Sequence, residues 1–212
     1  MNINKELLKY IEDNIFPEYE KNDNAHGIEH IKYVIERSVK FAKTIPNINY
    51  DMVYTIAAYH DIGHHIDAKN HERISSEILR DDKKLKEYFN EEEISIMVDA
   101  VHDHRASSDT EPRNIYGKIV SSADRNTSID NILKRTYAYI LKHNPNLNNK
   151  EIIEDSKKHI ISKFGKKGYA TEKMYFEDKE YMKFLSDVEE LVQNEKEFTK
   201  RYCEVNNISI ED

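Results

Sequence analysis

The sequence predicts an all-α protein forming a single helical domain, and three observations point there. At 212 residues the chain is long enough to bury one continuous core. Charged residues make up 34 % and apolar residues 38 %, which suits helices with one wet face each better than a sheet buried on both sides. Glycine and proline number only 5 and 4, too few for a chain built on hairpins and tight turns.

Apolar periodicity then places the elements. Leu7, Leu8, Ile11 and Ile15 share one stripe, predicting a helix from about Asn4 to Tyr19. After the polar turn KNDNAHG, the segment IEHIKYVIERSVKFAKTI buries Ile31, Val34, Ile35, Ser38 and Ala42. Asp51 is the expected N-cap of MVYTIAAYHDIG, which Gly63 interrupts. NHERISSEILRDD and NEEEISIMVDAVHDH read as amphipathic helices, and Glu91, Glu92 and Glu93 fall where the helix dipole favours negative charge. The loop RASSDTEPRN leads into residues 115–143, whose apolar first half suits a central helix. NPNLNN breaks the pattern, KEIIEDSKKHIISKFG resumes it, KKGYATEKMYFED is a loop, and a helix from about Lys179 to Glu204 closes the chain.

Charge and cysteine content narrow the function. A formal net charge of −8 argues against a partner such as a nucleic-acid polymer, whose phosphates need Lys and Arg to neutralise them. A small anionic substrate needs only a local cluster of positive charge, which a metal ion can supply. The lone Cys203 can form no intramolecular disulfide. The first helix carries interrupting acidic residues and no long apolar core, so neither a signal peptide nor a membrane span is expected, and the expected location is cytoplasmic. The sequence leaves the oligomeric state open, a homo-oligomer included.

The stretch AAYHDIGHHIDAKNH, residues 57–71, holds four of the ten histidines. The apolar run VYTIAAY aims His60 and Asp61 at the interior, where an aspartate is costly unless paired. His30 shares the inward stripe of Val34, and Asp124 follows the apolar face of Ile119, Val120 and Ala123. Three predicted helices thus offer two imidazoles and two carboxylates. That donor set suits one divalent transition metal (Mn, Fe, Ni, Co or Zn) better than an all-oxygen Mg or Ca site.

These residues, His30 in HIKYV, His60–Asp61 in YHDIGH and Asp124 in IVSSADR, resemble the HD-domain superfamily of metal-dependent phosphohydrolases over about residues 24–127. The resemblance implies an HD-domain helical bundle with additional C-terminal helices, the core at 24–127 and an extension at 128–212 within one domain. It implies a metal held by His30, His60, Asp61 and Asp124, and hydrolysis of a phosphate ester through a metal-activated water. Asp61 and His64 are the expected catalytic residues, Asp61 positioning or deprotonating the water and His64 donating a proton to the leaving oxygen or contacting phosphate. The expected substrate-binding residues are His26, His102, His104, Arg105, Arg113, Lys118 and Arg125. His65 and His71 are expected to face solvent, and so are His143 and His159.

Binuclear branches of the superfamily carry further histidines in separate places, whereas this chain offers only His102 and His104 in one stretch, so one metal is favoured over two. The GYP signature of cyclic-dinucleotide phosphodiesterases is absent, leaving a nucleotide or another phosphorylated metabolite as substrate. Two other readings stay open: a metal- and nucleotide-binding sensor of HD fold without turnover, and a zinc-protease-like hydrolase. The latter would use HDIGH as HExxH, but Gly63 disturbs the helix it needs and Asp124 goes unexplained. Beyond about Asn144 the aromatic residues read as packing, with Tyr175 and Lys166–Lys167 the candidates for substrate contact.

Overall fold

Asparagine sets most of the helix starts. In the computed structural model, which describes residues 3–23, 25–106, 108, 110–166, 168–171 and 174–210, Asn4, Asn49, Asn90, Asn114, Asn148 and Asn194 each turn a side-chain oxygen onto the first backbone N–H groups of a helix. Asn90 and Asn148 complete capping boxes with Glu93 and Glu151. The helices are α1 (Lys5–Asn14), α2 (Ile28–Ala42), α3 (Tyr50–Tyr59), α4 (His71–Asp81), α5 (Glu91–His102), α6 (Ile115–Ala123), α7 (Ile129–His143), α8 (Asn149–Phe164), α9 (Lys179–Gln193) and α10 (Glu195–Asn206). Among the described residues there is no strand, and the fold is all-α as predicted.

Several boundaries differ from the sequence expectation, each for a local reason. The first helix stops at Asn14, and Pro17 sits in the opening of a 3₁₀ segment, Phe16–Lys21. Asn49 rather than Asp51 caps α3, accepting from the N–H groups of Asp51 and Met52. Residues 115–143 form two helices: the Asn126 side chain accepts from the Ser128 N–H at 2.7 Å, and Ser128 then caps α7. The last helix divides at Asn194, which ends α9 through a bond to the Leu191 carbonyl and caps α10 through one from Glu197.

The chain divides into two compact units, Met1–Asp124 and Arg125–Asp212. In the first, α3 is the central element: Met52 through Tyr59 are all buried, and α1, α2, α4, α5 and α6 pack against it. A helix buried on every side delivers the residues beyond its C-terminus into the interior, and here those residues are His60 and Asp61. In the second unit α7, α8, α9 and α10 close around Ile132, Leu133, Ile153, Ile160, Phe184, Phe198 and Tyr202. Tyr181 and Phe184 are packing residues there, Lys166 pairs with Glu189 at 3.0 Å, and Lys167 lies outside the described residues.

Candidate metal centre

The end of α3 is held by side chains from elsewhere, which keeps His60 and Asp61 in place. Tyr19 Oη donates to the Ala58 carbonyl at 2.7 Å, and His60 Nδ1 donates to the Ala57 carbonyl at 2.8 Å. The chain then turns, and Gly63 lets it pass close beneath α4. A Cβ on Gly63 would lie 2.6 Å from Cγ2 of Ile74 and 2.9 Å from the Ser75 backbone nitrogen. The Gly63 N–H donates to Ser75 Oγ at 3.0 Å.

His30, in the first turn of α2, and Asp124, the C-cap of α6, meet this turn. Asp61 Oδ2 is 3.5 Å from Nε2 of both His30 and His60. Asp124 Oδ1 is 3.1 Å from His30 Nε2 and 4.0 Å from His60 Nε2. The four residues read from the sequence therefore surround one point. The structure adds two more on the opposite side of the same carboxylate: Asp61 Oδ1 lies 3.2 Å from His71 Nε2 and 3.5 Å from His104 Nε2.

His71 corrects the expectation that it faces solvent, for it is only 8 % exposed. His104, expected at the substrate, is fully buried at 0 % and faces Asp61. A signal for His71 was present in the pattern: it shares a stripe with Ser75 and Leu79, all buried on α4. The polar surroundings in AKNHER concealed it.

The tautomers are set by the backbone. His60, His71 and His104 each place Nδ1 within 2.6–3.0 Å of the carbonyl three residues earlier. A carbonyl only accepts, so Nδ1 carries the proton and Nε2 presents a lone pair. The buried Nε2 atoms of His30 and His60 have no hydrogen-bond partner among the described residues. His71 Nε2 and His104 Nε2 stand 3.2 Å apart, and when neither carries a proton they repel unless a cation lies between them. Two nitrogens bound to one tetrahedral ion at about 2.0–2.1 Å are themselves about 3.4 Å apart. The donor set fits a divalent metal on either side of Asp61.

Electrostatics agree. Burial opposes charge on His30, but Asp124 and Asp61 outweigh it and push the imidazole up to about 10. Burial drives His60 down to about 4. Burial also works against the charged carboxylates, yet the surrounding imidazoles hold Asp61 well below the usual carboxylate range and Asp124 at about 2. The two buried carboxylates thus draw positive charge to themselves, as a proton on His30 or as a cation that would replace it.

Asp23, His26 and His64 form a further group at the edge of this cluster, with candidate ligand atoms within 4.8 Å of one another. Asp23 Oδ1 holds His26 Nδ1 at 2.8 Å, and the His26 and His64 rings stack at 3.8 Å between centroids. His64 is 5.3 Å, ring to ring, from His71, and burial together with repulsion from His26 lowers it to about 4. His65 is exposed as expected.

The expected basic rim is differently placed. Arg105 Nη1 bonds Glu72 and the Lys69 carbonyl beside His71. Arg113 forks onto Asp103 with two bonds of 2.8 Å and pairs with Asp99, so its guanidinium braces the α5–α6 loop. Lys118 pairs with Glu111 at 3.3 Å. His102 has 49 % of its side chain exposed beside Asp103. Arg125 is buried in the second unit, where it donates to the Ala170 carbonyl and lies over the Tyr181 ring.

An all-helical unit that gathers five buried or half-buried imidazole and carboxylate ligands around a shared aspartate defines a metal-binding helical domain. Residues 27–128 match the HD domain family, which makes this stretch of the chain an HD domain. Among solved structures, the crystal structure of a predicted HD superfamily hydrolase from an uncultured Thermotogales bacterium is similar. It has 19 % identity and a TM-score of 0.46, over 74 % of this chain and 87 % of that one. No curated protein matches. Among the described residues, no helix is long and apolar enough to cross a membrane.

Proposed function

We propose that the protein hydrolyses a phosphate ester of a nucleotide or related small metabolite at a metal centre in which His30, His60, Asp61 and Asp124 would hold one cation and His71, His104 and Asp61 a second. The observation that supports this most directly is the division of that one carboxylate, Oδ2 toward His30 and His60 and Oδ1 toward His71 and His104. Asp124 completes the first side.

When bound, the metals supply Lewis-acid polarisation of a phosphoryl oxygen and a water acidic enough to act at neutral pH. The remaining work falls to this chain's own groups. Asp61 orients both sides at once. His64, neutral and less buried than the ligands, offers a ring N–H to a phosphate oxygen, and Asp23 fixes His26 beside it through Nδ1. Arg105, anchored by Glu72, adds positive charge next to the α4 end of the pocket.

The test is metal analysis of the purified protein, then assay of phosphomonoesters and phosphodiesters with Mn²⁺, Co²⁺, Ni²⁺ or Fe²⁺ added. Two ions per chain with turnover of one ester class supports the proposal. One ion per chain removes the second cation. Ions and nucleotide bound without any turnover replaces the enzyme with a sensor.

A further inference from the structure

Asn22 precedes the Asp23–His26 group in sequence and is half-buried. Its side chain fills all four of its hydrogen-bonding positions. Nδ2 donates to the His26 carbonyl at 2.9 Å and to the Asp61 carbonyl at 3.1 Å. Oδ1 accepts from the His65 backbone N–H at 2.8 Å and lies 3.2 Å from His65 Nδ1. An amide has two donor hydrogens and two acceptor lone pairs on its oxygen, so this one is complete in the tautomer that carries a proton on His65 Nδ1. The partners also settle its orientation, because two carbonyls can face only the NH₂ end and a backbone N–H only the oxygen.

We infer that Asn22 is a positioning residue for the metal centre, clamping the loop that carries His26 onto the turn that carries Asp61 and His64. The inference rests on the metal-dependent reading of that centre. Both clamped segments are irregular: the first precedes α2 and the second comes after α3, so neither is held by a helical ladder of its own. Among the described residues the Asp61 carbonyl has one further backbone donor, the His64 N–H at 3.0 Å, which belongs to the same turn. Asn22 is the side chain that ties this turn to another segment at both the Asp61 carbonyl and the His65 N–H. A one-atom change tests it, because an aspartate of equal size would aim a second oxygen at two carbonyls.

Groups that orient metal ligands typically contribute about 10–100-fold to affinity or activity. The test compares wild type, Asn22→Asp, Asn22→Ala and a control, Asn14→Asp, whose native amide donates, among the described residues, only to the Tyr10 carbonyl. Each is titrated with Co²⁺, and the affinity and visible absorption bands are recorded with the unfolding midpoint. Expected are Co²⁺ binding weaker by about 10–100-fold with altered bands in both Asn22 variants, folding retained, and a control like wild type. Wild-type affinity and bands in both Asn22 variants would overturn the inference, even where ester hydrolysis is real. Failure of both to fold would also overturn it, since Asn22 would then serve the fold rather than the site. Should wild type bind Co²⁺ and hydrolyse nothing, the phosphohydrolase reading falls and the Co²⁺ comparison still decides on Asn22. A wild type that binds no Co²⁺ removes both.

Discussion

The two units bury polar groups in opposite ways. In Arg125–Asp212 the buried polar residues are few, and those whose partners are known close on neighbours: Ser156 with Tyr202 at 2.5 Å, Arg125 with the Ala170 carbonyl, Asp178 with the Tyr181 N–H. In Met1–Asp124, His60, Asp61, His71 and His104 are buried, with the three Nε2 atoms turned toward the Asp61 carboxylate. Buried polar atoms are normally matched within the protein. In the second unit these matches come from the protein's own groups, whereas in the first the buried Nε2 atoms of His30 and His60 have no hydrogen-bond partner among the described residues, and a cation would supply one. The contrast separates burial that serves stability from burial that serves a ligand.

Replacing the shared carboxylate should break the contrast most severely. Asp61→Asn leaves the shape and removes the charge that both sides use, and loss of both metals should cost about 10³-fold in kcat/KM. Metal content and steady-state rates on the best ester check it. In the second unit the largest expected effect is on stability instead. Phe198→Ala, at a fully buried position, should cost about 3–5 kcal/mol in urea unfolding, with metal content of the folded fraction unchanged.

His71→Ala sharpens the comparison within the centre itself. It should reduce the metal content from two to one, because His30, His60 and Asp124 are untouched, and lower activity by about 10–100-fold. Gly63→Ala should cost about 1–3 kcal/mol, since the new methyl meets Ile74 and the backbone of Ser75. Its signature is a lower unfolding midpoint in the metal-free protein as well as in the loaded one. Smallest is Ser156→Ala, which leaves Tyr202 Oη without its buried partner and should cost about 1 kcal/mol. Because neither residue belongs to the metal centre, rates should not change. A fall in metal content after Ser156→Ala, or none after His71→Ala, would erase the distinction between the units.

How legible the site was in the sequence depended on neighbours. His60–Asp61 comes after eight buried residues, so the apolar run itself announced where the pair points. His30 and Asp124 carried the same mark, an apolar stripe behind a polar residue. His71 carried a fainter one, because it opens α4 after a polar turn and its stripe runs through Ser75 before it reaches Leu79. His104 stood beside the exposed His102, and linear spacing cannot tell which of two alternate residues turns inward. The arginines misled for a related reason: a guanidinium near a site in sequence reads as a substrate ligand until its carboxylate is seen. For Arg113 that carboxylate is Asp103, ten residues away.

The order of apolar and polar residues along the chain determined that the protein is helical, roughly where each helix lies, and that His30, His60, Asp61 and Asp124 turn inward. Those are consequences of periodicity and burial, which act over a few residues and can be read in one dimension. Tertiary structure alone decided that both oxygens of Asp61 are used, and that His71 and His104 meet 33 positions apart in sequence to form the second side. Whether two lone pairs stand close enough to need a cation depends on how α4 packs against α5, and packing is set by the fit of whole helix faces rather than by any local pattern.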